Sequence, residues 1–498
     1  MFSYILQRIN YTTIVRVLGW FLLIESLFLI FPAAVSLFFG EYSVMWAFVN
    51  TFIITLTAGC VMSYGFPNRF NDESMRKREA ILITSTVWIV FSAFGMLPFL
   101  FSGVLTSVTD AFFETMSGFT TTGASVLCDV ESLPRGIVFW RSMCQWIGGM
   151  GIILFTLAVL PMLNFKGGVT LFTSEVTGIS HERITPRVSQ TAKLLWGIYF
   201  TLTIVCFAAL MLGPMDWFDS ICHAMSTVST GGFSTKSAGL DYWHDYYSYI
   251  VIIVFMAICG INFSLIYLIF AKRNFSLMYK NVIIRCYLAF IVVFSLVIFL
   301  RLWTMGFCDN IPESLLDSVF DTVSAITSTG FSTYNYERSG QFIFFLLLFL
   351  MFFGGMAGST SGGAKVDRFV VTFKNLRNEI YRVINPNSVR TVRLTNNRSV
   401  PREVVDKVLA FLAIYVFVII TVAILLTAFN MPAFDAMFNS LSAISNIGFG
   451  YGEITAGASK FSNIPSVCKW VLALEMMVGR LEIFTVLAIF TRGFWIKR

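Results

Sequence analysis

Long apolar runs separated by short polar ones dominate the chain from end to end. A helix needs about 20 mostly apolar residues to cross the hydrocarbon core of a bilayer. Ten runs approach or exceed that length: 17–38, 44–65, 80–103, 137–163, 194–213, 249–271, 286–303, 341–363, 408–429 and 467–491. The first is long, carries Glu25 and lacks a small-residue cleavage pattern, so it reads as a membrane helix and not as a cleaved signal peptide. The pattern predicts an all-α polytopic membrane protein.

Between the runs lies a motif too short to cross and too apolar for an ordinary loop. Asp, then Ser seven residues on, then Gly six further on, occurs four times: Asp110, Ser117, Gly123; Asp219, Ser226, Gly232; Asp317, Ser324, Gly330; Asp435, Ser442, Gly448. Self-similarity at a near-constant period marks a repeated structural unit, here span, short segment, span. Asp is a good helix N-cap, and the roughly nine residues of mixed apolar character after it are too few to cross a bilayer. A Ser/Thr/Gly stretch follows, and non-helical backbone at membrane depth survives only inside protein or lining water. The motif therefore predicts four re-entrant half-helices, each capped by its Asp, whose trailing loops meet at one constriction. Glycine there leaves the backbone free and unobstructed, so that carbonyl oxygens can replace the hydration shell of a cation. The half-helix C-termini add partial negative charge at the same axis. A lone copy would read as close helix packing by small residues; four copies at fixed spacing favour a pore.

Charge orients the runs. With an even number of spans both termini share one side. On it the N-terminus, 66–79, 164–193, 272–285, 364–407 and the C-terminus carry 27 Lys+Arg against nine acids. The other side carries seven basic residues and sixteen acids, while Glu25, Glu475, Arg480 and Glu482 fall within spans. This is a strong positive-inside bias and predicts cytoplasmic termini. The acid excess outside would concentrate cations near the mouth.

Composition narrows the function classes. Only 13% of the 498 residues are charged and 56% are hydrophobic, which excludes a soluble or disordered chain. Nine cysteines form no CxxC pair and three histidines are scattered, so neither a zinc nor a redox site is expected. No nucleophile–base pair stands at a recognisable spacing, which argues against an enzyme. The segment GGMAGSTSGGAK at 354–365 holds five glycines and three hydroxyl residues. It does not meet the phosphate-loop spacing, because Gly363 is followed by Ala364 before Lys365.

These residues resemble the Trk/Ktr/HKT superfamily of potassium transporters, and more closely its bacterial TrkH subfamily. The resemblance rests on STVSTGGFST at 226–235, AITSTGFST at 325–333, WIGGMGI at 146–152, GGMAGSTSGGAK at 354–365 and GRLEIFTVLAIF at 479–490. Two spans before the first repeat also suit TrkH. The resemblance implies four span–pore helix–span repeats around one pore plus two extra N-terminal helices. On that basis the chain divides into a two-helix segment 1–79 and repeats 80–193, 194–283, 284–402 and 403–498. It implies potassium as the transported ion, no cofactor in this chain, and a selectivity filter built from Thr121, Thr122, Gly123; Thr230, Gly231, Gly232; Ser328, Thr329, Gly330; and Asn446, Ile447, Gly448. In the family Ser at the first filter position goes with sodium permeation, so Gly123 argues for potassium. The fourth strand, SNIGFG, departs from the Ser/Thr-rich pattern of the others.

The resemblance further makes Gly354, Gly355, Gly358, Ser359, Thr360, Ser361, Gly362, Gly363 and Lys365 an intramembrane gating loop. Arg480, a costly charge within a span, is expected to face the pore below the filter and contact that loop; pairing with Glu475 or Glu482 is the structural alternative. Implied partners are a second copy of the chain and a cytosolic nucleotide-binding regulatory subunit of the TrkA type, docked near the basic segment 364–407, with no nucleic acid. The implied location is the bacterial cytoplasmic membrane. A symporter coupling potassium to sodium or protons remains the rival to a gated channel, although acids within spans are few.

Overall fold

Among the described residues, six helices are long and apolar enough to cross a membrane: Tyr11–Phe38, Tyr42–Tyr64, Arg78–Phe101, Gln190–Leu210, Val282–Met305 and Arg402–Thr427. The structure, a computed structural model, describes residues 9–66, 77–151, 188–271, 273–305, 310–333, 340–394, 399–451 and 461–495. The six helices coincide with the first, second, third, fifth, seventh and ninth apolar runs.

The other four runs behave differently, and each is the second helix of a repeat. Arg135–Gly149 is the described part of the fourth run, and 152–163 lies outside the described residues. The sixth bends by 103° between Tyr246–Cys259 and Phe263–Phe270. The eighth, expected to span 341–363, stops as Gln341–Phe353, where Gly354 takes φ 68°. The tenth is Ser466–Leu481 and Ile483–Phe490, separated by Glu482 at φ 62°. At 1.5 Å per residue a helix of this length falls short of the roughly 30 Å core, so backbone is released at membrane depth, enclosed by protein as it must be.

Four short helices precede these breaks: Val108–Phe119, Trp217–Val228, Ile311–Ile326 and Ala433–Ile444. They are the predicted half-helices, here termed half-helices 1 to 4. Their starts correct the sequence reading. The N-cap positions are Ser107, Asp216, Asn310 and Pro432, not the repeated Asp. Asp110, Asp219 and Asp435 lie in the first turn, and Asp317 one turn deeper because half-helix 3 begins earlier. Ser107 and Asp216 each accept from the backbone N–H three residues on, so better-placed caps displaced the Asp. The Asp acts further along: Asp219 Oδ1 accepts from Thr235 at 2.7 Å, and Asp317 Oδ1 from Thr333 at 2.9 Å, each sixteen residues on.

The helices close into a cycle. Each half-helix packs on the second helix of its own repeat and on that of the preceding repeat, with half-helix 1 taking Ser466–Leu481 of repeat 4 as its preceding neighbour. Close approach depends on glycines in the second helices. A Cβ on Gly148 would strike the carbonyl of Phe119, and one on Gly479 that of Ile444, the last helical residues of half-helices 1 and 4. The two N-terminal helices pack on each other and on repeat 1. Architecture is thus all-α: four repeats about one axis with a helix pair beside the first.

Candidate functional site

All four half-helices end in the same way. The backbone N–H of Thr121 donates to the carbonyl of Gly118 and that of Thr122 to Ser117, both at 2.9 Å. Thr230 and Gly231 repeat this with Thr227 and Ser226, Ser328 and Thr329 with Ala325 and Ser324, and Asn446 and Ile447 with Ala443 and Ser442. This is the Schellman closure, which requires a left-handed residue just past the cap. Thr121, Thr230, Ser328 and Asn446 supply it at φ 53–55°. Glycine usually fills that place; a β-branched residue there is strained by about 1–3 kcal/mol. The repeated Ser therefore marks the acceptor of the closing turn, which explains its fixed spacing.

Two residues later the four glycines turn left-handed again, at φ 84°, 80°, 80° and 79° for Gly123, Gly232, Gly330 and Gly448. Each faces its neighbour. A Cβ on Gly123 would run into the carbonyl oxygen of Gly231, on Gly232 into that of Thr329, on Gly330 into that of Ile447, and on Gly448 into that of Thr122. The contacts run from repeat 1 to 2 to 3 to 4 and back to 1. The residues expected at one constriction are thus brought together as a closed ring, with a carbonyl of the residue before each glycine at every junction. Nearly all of them are buried. Asn446 ties the fourth segment to the first: its Nδ2 donates to Thr122 Oγ1 at 3.1 Å and to the carbonyl of Met476 at 2.8 Å. Thr120 and Thr327 hold Thr122 and Thr329 through hydroxyl contacts of 2.8 and 2.7 Å.

The Gly-rich loop 354–365 packs directly against this ring's supports. Gly363 N–H donates to Ser445, the cap of half-helix 4, at 3.0 Å. Thr360 Oγ1 lies 3.3 Å from the carbonyls of Val228, at the end of half-helix 2, and of Cys259, at the repeat 2 bend. Met356 N–H donates to Gly260, and Phe263 N–H to Gly358. Gly354, Gly358 and Gly363 are left-handed, and Gly362 has the Ser445 carbonyl where a Cβ would be. Gly355 likewise leaves no room, since Ser361 fills that space. Ser359 and Ser361 share a hydroxyl contact of 3.2 Å, and the Lys365 ammonium turns back to the Ser361 carbonyl.

Arg480 reaches the same place from repeat 4. Its Nη1 donates to the carbonyl of Thr360 at 2.7 Å, and its Nη2 to those of Gly148 and Gly149 at 2.8 Å. The guanidinium therefore bridges the loop of repeat 3 to the second-helix terminus of repeat 1. The expected loop contact is present. Of the two acids weighed as partners, Glu475 accepts from Ser440 at 2.7 Å and Glu482 from Arg368 at 2.5 Å.

The family model for TrkH, a cation transport protein, matches residues 45–494. The chain belongs to the TrkH family. It is 36% identical over 490 residues to the Trk system potassium uptake protein TrkH of Escherichia coli K12, covering 98% of this chain and 99% of that one. The Trk system potassium uptake protein TrkG of the same organism is 32% identical, over 96% of this chain and 97% of its own. The crystal structure of the potassium transporter TrkH from Vibrio parahaemolyticus superposes with a TM-score of 0.87 at 35% identity, covering 98% of this chain and all of that one.

Within this TrkH-family chain, the ring is buttressed by side chains the sequence reading passed over. Gln145 donates from Nε2 to the Gly231 carbonyl at 2.6 Å and accepts the Phe233 N–H at 3.2 Å. Four residues after each repeated Asp stands another polar residue: Glu114, His223, Asp321 and Asn439. Among the described residues, Glu114 grips the segment that leaves the ring at Ser125 and Val126, His223 grips it at Ser234 and Asn439 at Tyr451. A polar residue recurring at one register, four positions after the repeated Asp, was the available signal.

Proposed function

We propose that this chain is a potassium-uptake subunit of the bacterial cytoplasmic membrane that conducts potassium through the Gly123, Gly232, Gly330 and Gly448 ring. The observation that carries the reading is the closure of that ring, each glycine set against the carbonyl of its neighbour. Carbonyls so arranged replace the hydration shell of a desolvated monovalent cation without a titratable group. The potassium transport named for the relatives points to the same ion.

Loop 354–365 and Arg480 act as the gate in this proposal. A guanidinium beneath the ring raises an electrostatic barrier to a cation, and its bonds to Thr360, Gly148 and Gly149 hold the loop in place. Opening then requires those bonds to break. The basic cytoplasmic segment around Val366–Ile384 is the dock for a TrkA-type regulatory subunit, the chain works as a homodimer, and both termini face the cytoplasm, as the distribution of Lys and Arg suggests.

Potassium-uptake complementation with Gly123→Ser and Arg480→Ala, with and without the cytosolic partner, tests the reading. Gly123→Ser should admit sodium, and Arg480→Ala should speed cation passage and weaken the dependence on the partner. Wild-type behaviour of both variants would overturn it. The reversal potential in reconstituted membranes separates channel from symporter: it should follow the potassium gradient alone, and a shift with pH or sodium would favour coupling.

A further inference from the structure

Behind the first ring segment lies a buried ion pair that the reading above leaves without a task. Glu114, on half-helix 1, and Arg141, on the second helix of repeat 1, meet at 2.8 Å between Oε1 and Nε with 0% and 2% of their side chains exposed. A buried pair is costly to assemble and is weak evidence of stability by itself, so what else it holds matters.

The pair is fully engaged with backbone next to the ring. Glu114 Oε2 accepts from Val126 N–H at 2.9 Å, and both carboxylate oxygens accept from Ser125 Oγ at 3.0 and 3.1 Å. Arg141 Nη2 donates to the same hydroxyl at 3.1 Å. Its Nη1 faces the Ser234 carbonyl at 3.5 Å, and the guanidinium lies 4.2 Å over the Phe233 ring. Ser125 follows Gly123 by two residues, and Ser234 follows Gly232 by two. The fork geometry of a guanidinium, with donors fixed in one plane, thus spans the exits of two adjacent ring segments. Ser125 also accepts Phe461 N–H of repeat 4 on its carbonyl at 2.7 Å, which ties a third repeat to the same point. Repeats 2 and 4 hold the corresponding segments through His223 and Asn439, and the carboxylates of Asp219 and Asp317 hold Thr235 and Thr333 in repeats 2 and 3.

We propose that Glu114 and Arg141 are positioning residues that set the spacing between the first two ring segments and thereby the discrimination of potassium from sodium. This rests on the reading of the ring as the selectivity filter. Neither residue touches the ion; they act through Ser125, Val126 and Ser234. A carbonyl ring discriminates by the number and placement of its dipoles, so letting two of four segments relax broadens the cavity toward the less selective state.

The test uses the full chain reconstituted in liposomes, with the sodium-to-potassium permeability ratio read from reversal potentials under bi-ionic conditions. Three variants are compared: Ser125→Ala, Arg141→Lys and the neutral double variant Glu114→Gln/Arg141→Met. Arg141→Lys keeps the charge but cannot reach Ser125 and Ser234 together. Each should raise the ratio roughly fivefold, the factor set by losing one intramolecular hydrogen bond, while eluting as a monodisperse species with a melting temperature near that of the parent. A purely structural role would instead lower the melting temperature and leave the ratio of the surviving protein unchanged, and that result overturns the proposal. Gly123→Ser, which alters the ring itself, is run alongside. If it changes the ratio and the three variants do not, the positioning role fails alone; if it too leaves the ratio unchanged, the filter reading fails as well.

Discussion

Thr121, Thr230, Ser328 and Asn446 share a left-handed backbone conformation, at φ values within two degrees of one another, that the Thr and Ser side chains disfavour and Asn tolerates. A conformation repeated so closely in four places is held by the surrounding structure. Ser328 allows a clean separation of stability from function, because its hydroxyl is buried without a hydrogen-bond partner among the described residues. Ser328→Gly should hold or raise thermal stability, by up to about 1 kcal/mol from relief of the left-handed conformation, while a looser segment raises the sodium-to-potassium permeability ratio. A melting curve and bi-ionic reversal potentials on one preparation check both. Gly330→Ala should do the opposite: its Cβ meets the Ile447 carbonyl at φ 80°, and potassium uptake should fall by on the order of tenfold or more, the factor that 1.4 kcal/mol represents. The glycines were legible in the sequence because only a residue without Cβ fits such a contact. The left-handed Thr and Ser were not, because propensity argues against them and only the ring's enclosure enforces them.

At the level of elements, the broken second helices carry the interest. Deleting 356–363 should produce a leak without the regulatory partner, measured as potassium flux from loaded liposomes; unchanged closed-state leak and conductance would sink the gate. The loop is also fastened by the residues that follow it. Asp367 Oδ2 accepts the Ala357 N–H at 2.7 Å, and Arg368 joins the Ala364 carbonyl, Glu482 and the Phe411 ring. Asp367→Ala should therefore raise partner-independent flux less than Arg480→Ala does, because it frees one end of the loop and leaves the Thr360 contact in place. Apolar periodicity located every one of these runs but not their interruptions. Residues 467–491 read as one span since the charged positions are isolated among apolar ones, yet the backbone of Glu482 is left-handed and the helix restarts beyond it. Gly-rich 354–365 announced itself through composition, whereas Glu482 gave no such signal. The half-helix starts were missed for a related reason: a good N-cap residue in the sequence is not the N-cap when Ser107 or Asp216 stands a little upstream.

On the scale of the whole molecule, the chain closes a circle that it traces once. Half-helix 1 packs against Ser466–Leu481, Ile483–Phe490 packs against the first helix of repeat 1, and Arg78 donates to the carbonyl of Gly493 at 3.1 Å across 415 positions of sequence. Repeat number and order were readable from the Asp–Ser–Gly spacing, but the closing junction of repeat 4 on repeat 1 was not, because nothing local in sequence records which loops face each other. The amphipathic helix Val366–Ile384 carries Lys374, Arg377 and Arg382. If it docks a regulatory subunit, Lys374→Glu/Arg377→Glu should weaken binding of that subunit and reduce its sensitivity to salt, as exposed charges are screened over about 8 Å at physiological ionic strength; pull-down across a salt series reads this. Because the four ring segments are encoded separately, a substitution alters one wall of the constriction and leaves three intact. A homotetramer has no such option, since every change there arrives in four copies. Mutational drift can thus tune this ring in quarter steps, and double-mutant cycles between repeats can measure how strongly one wall depends on the next.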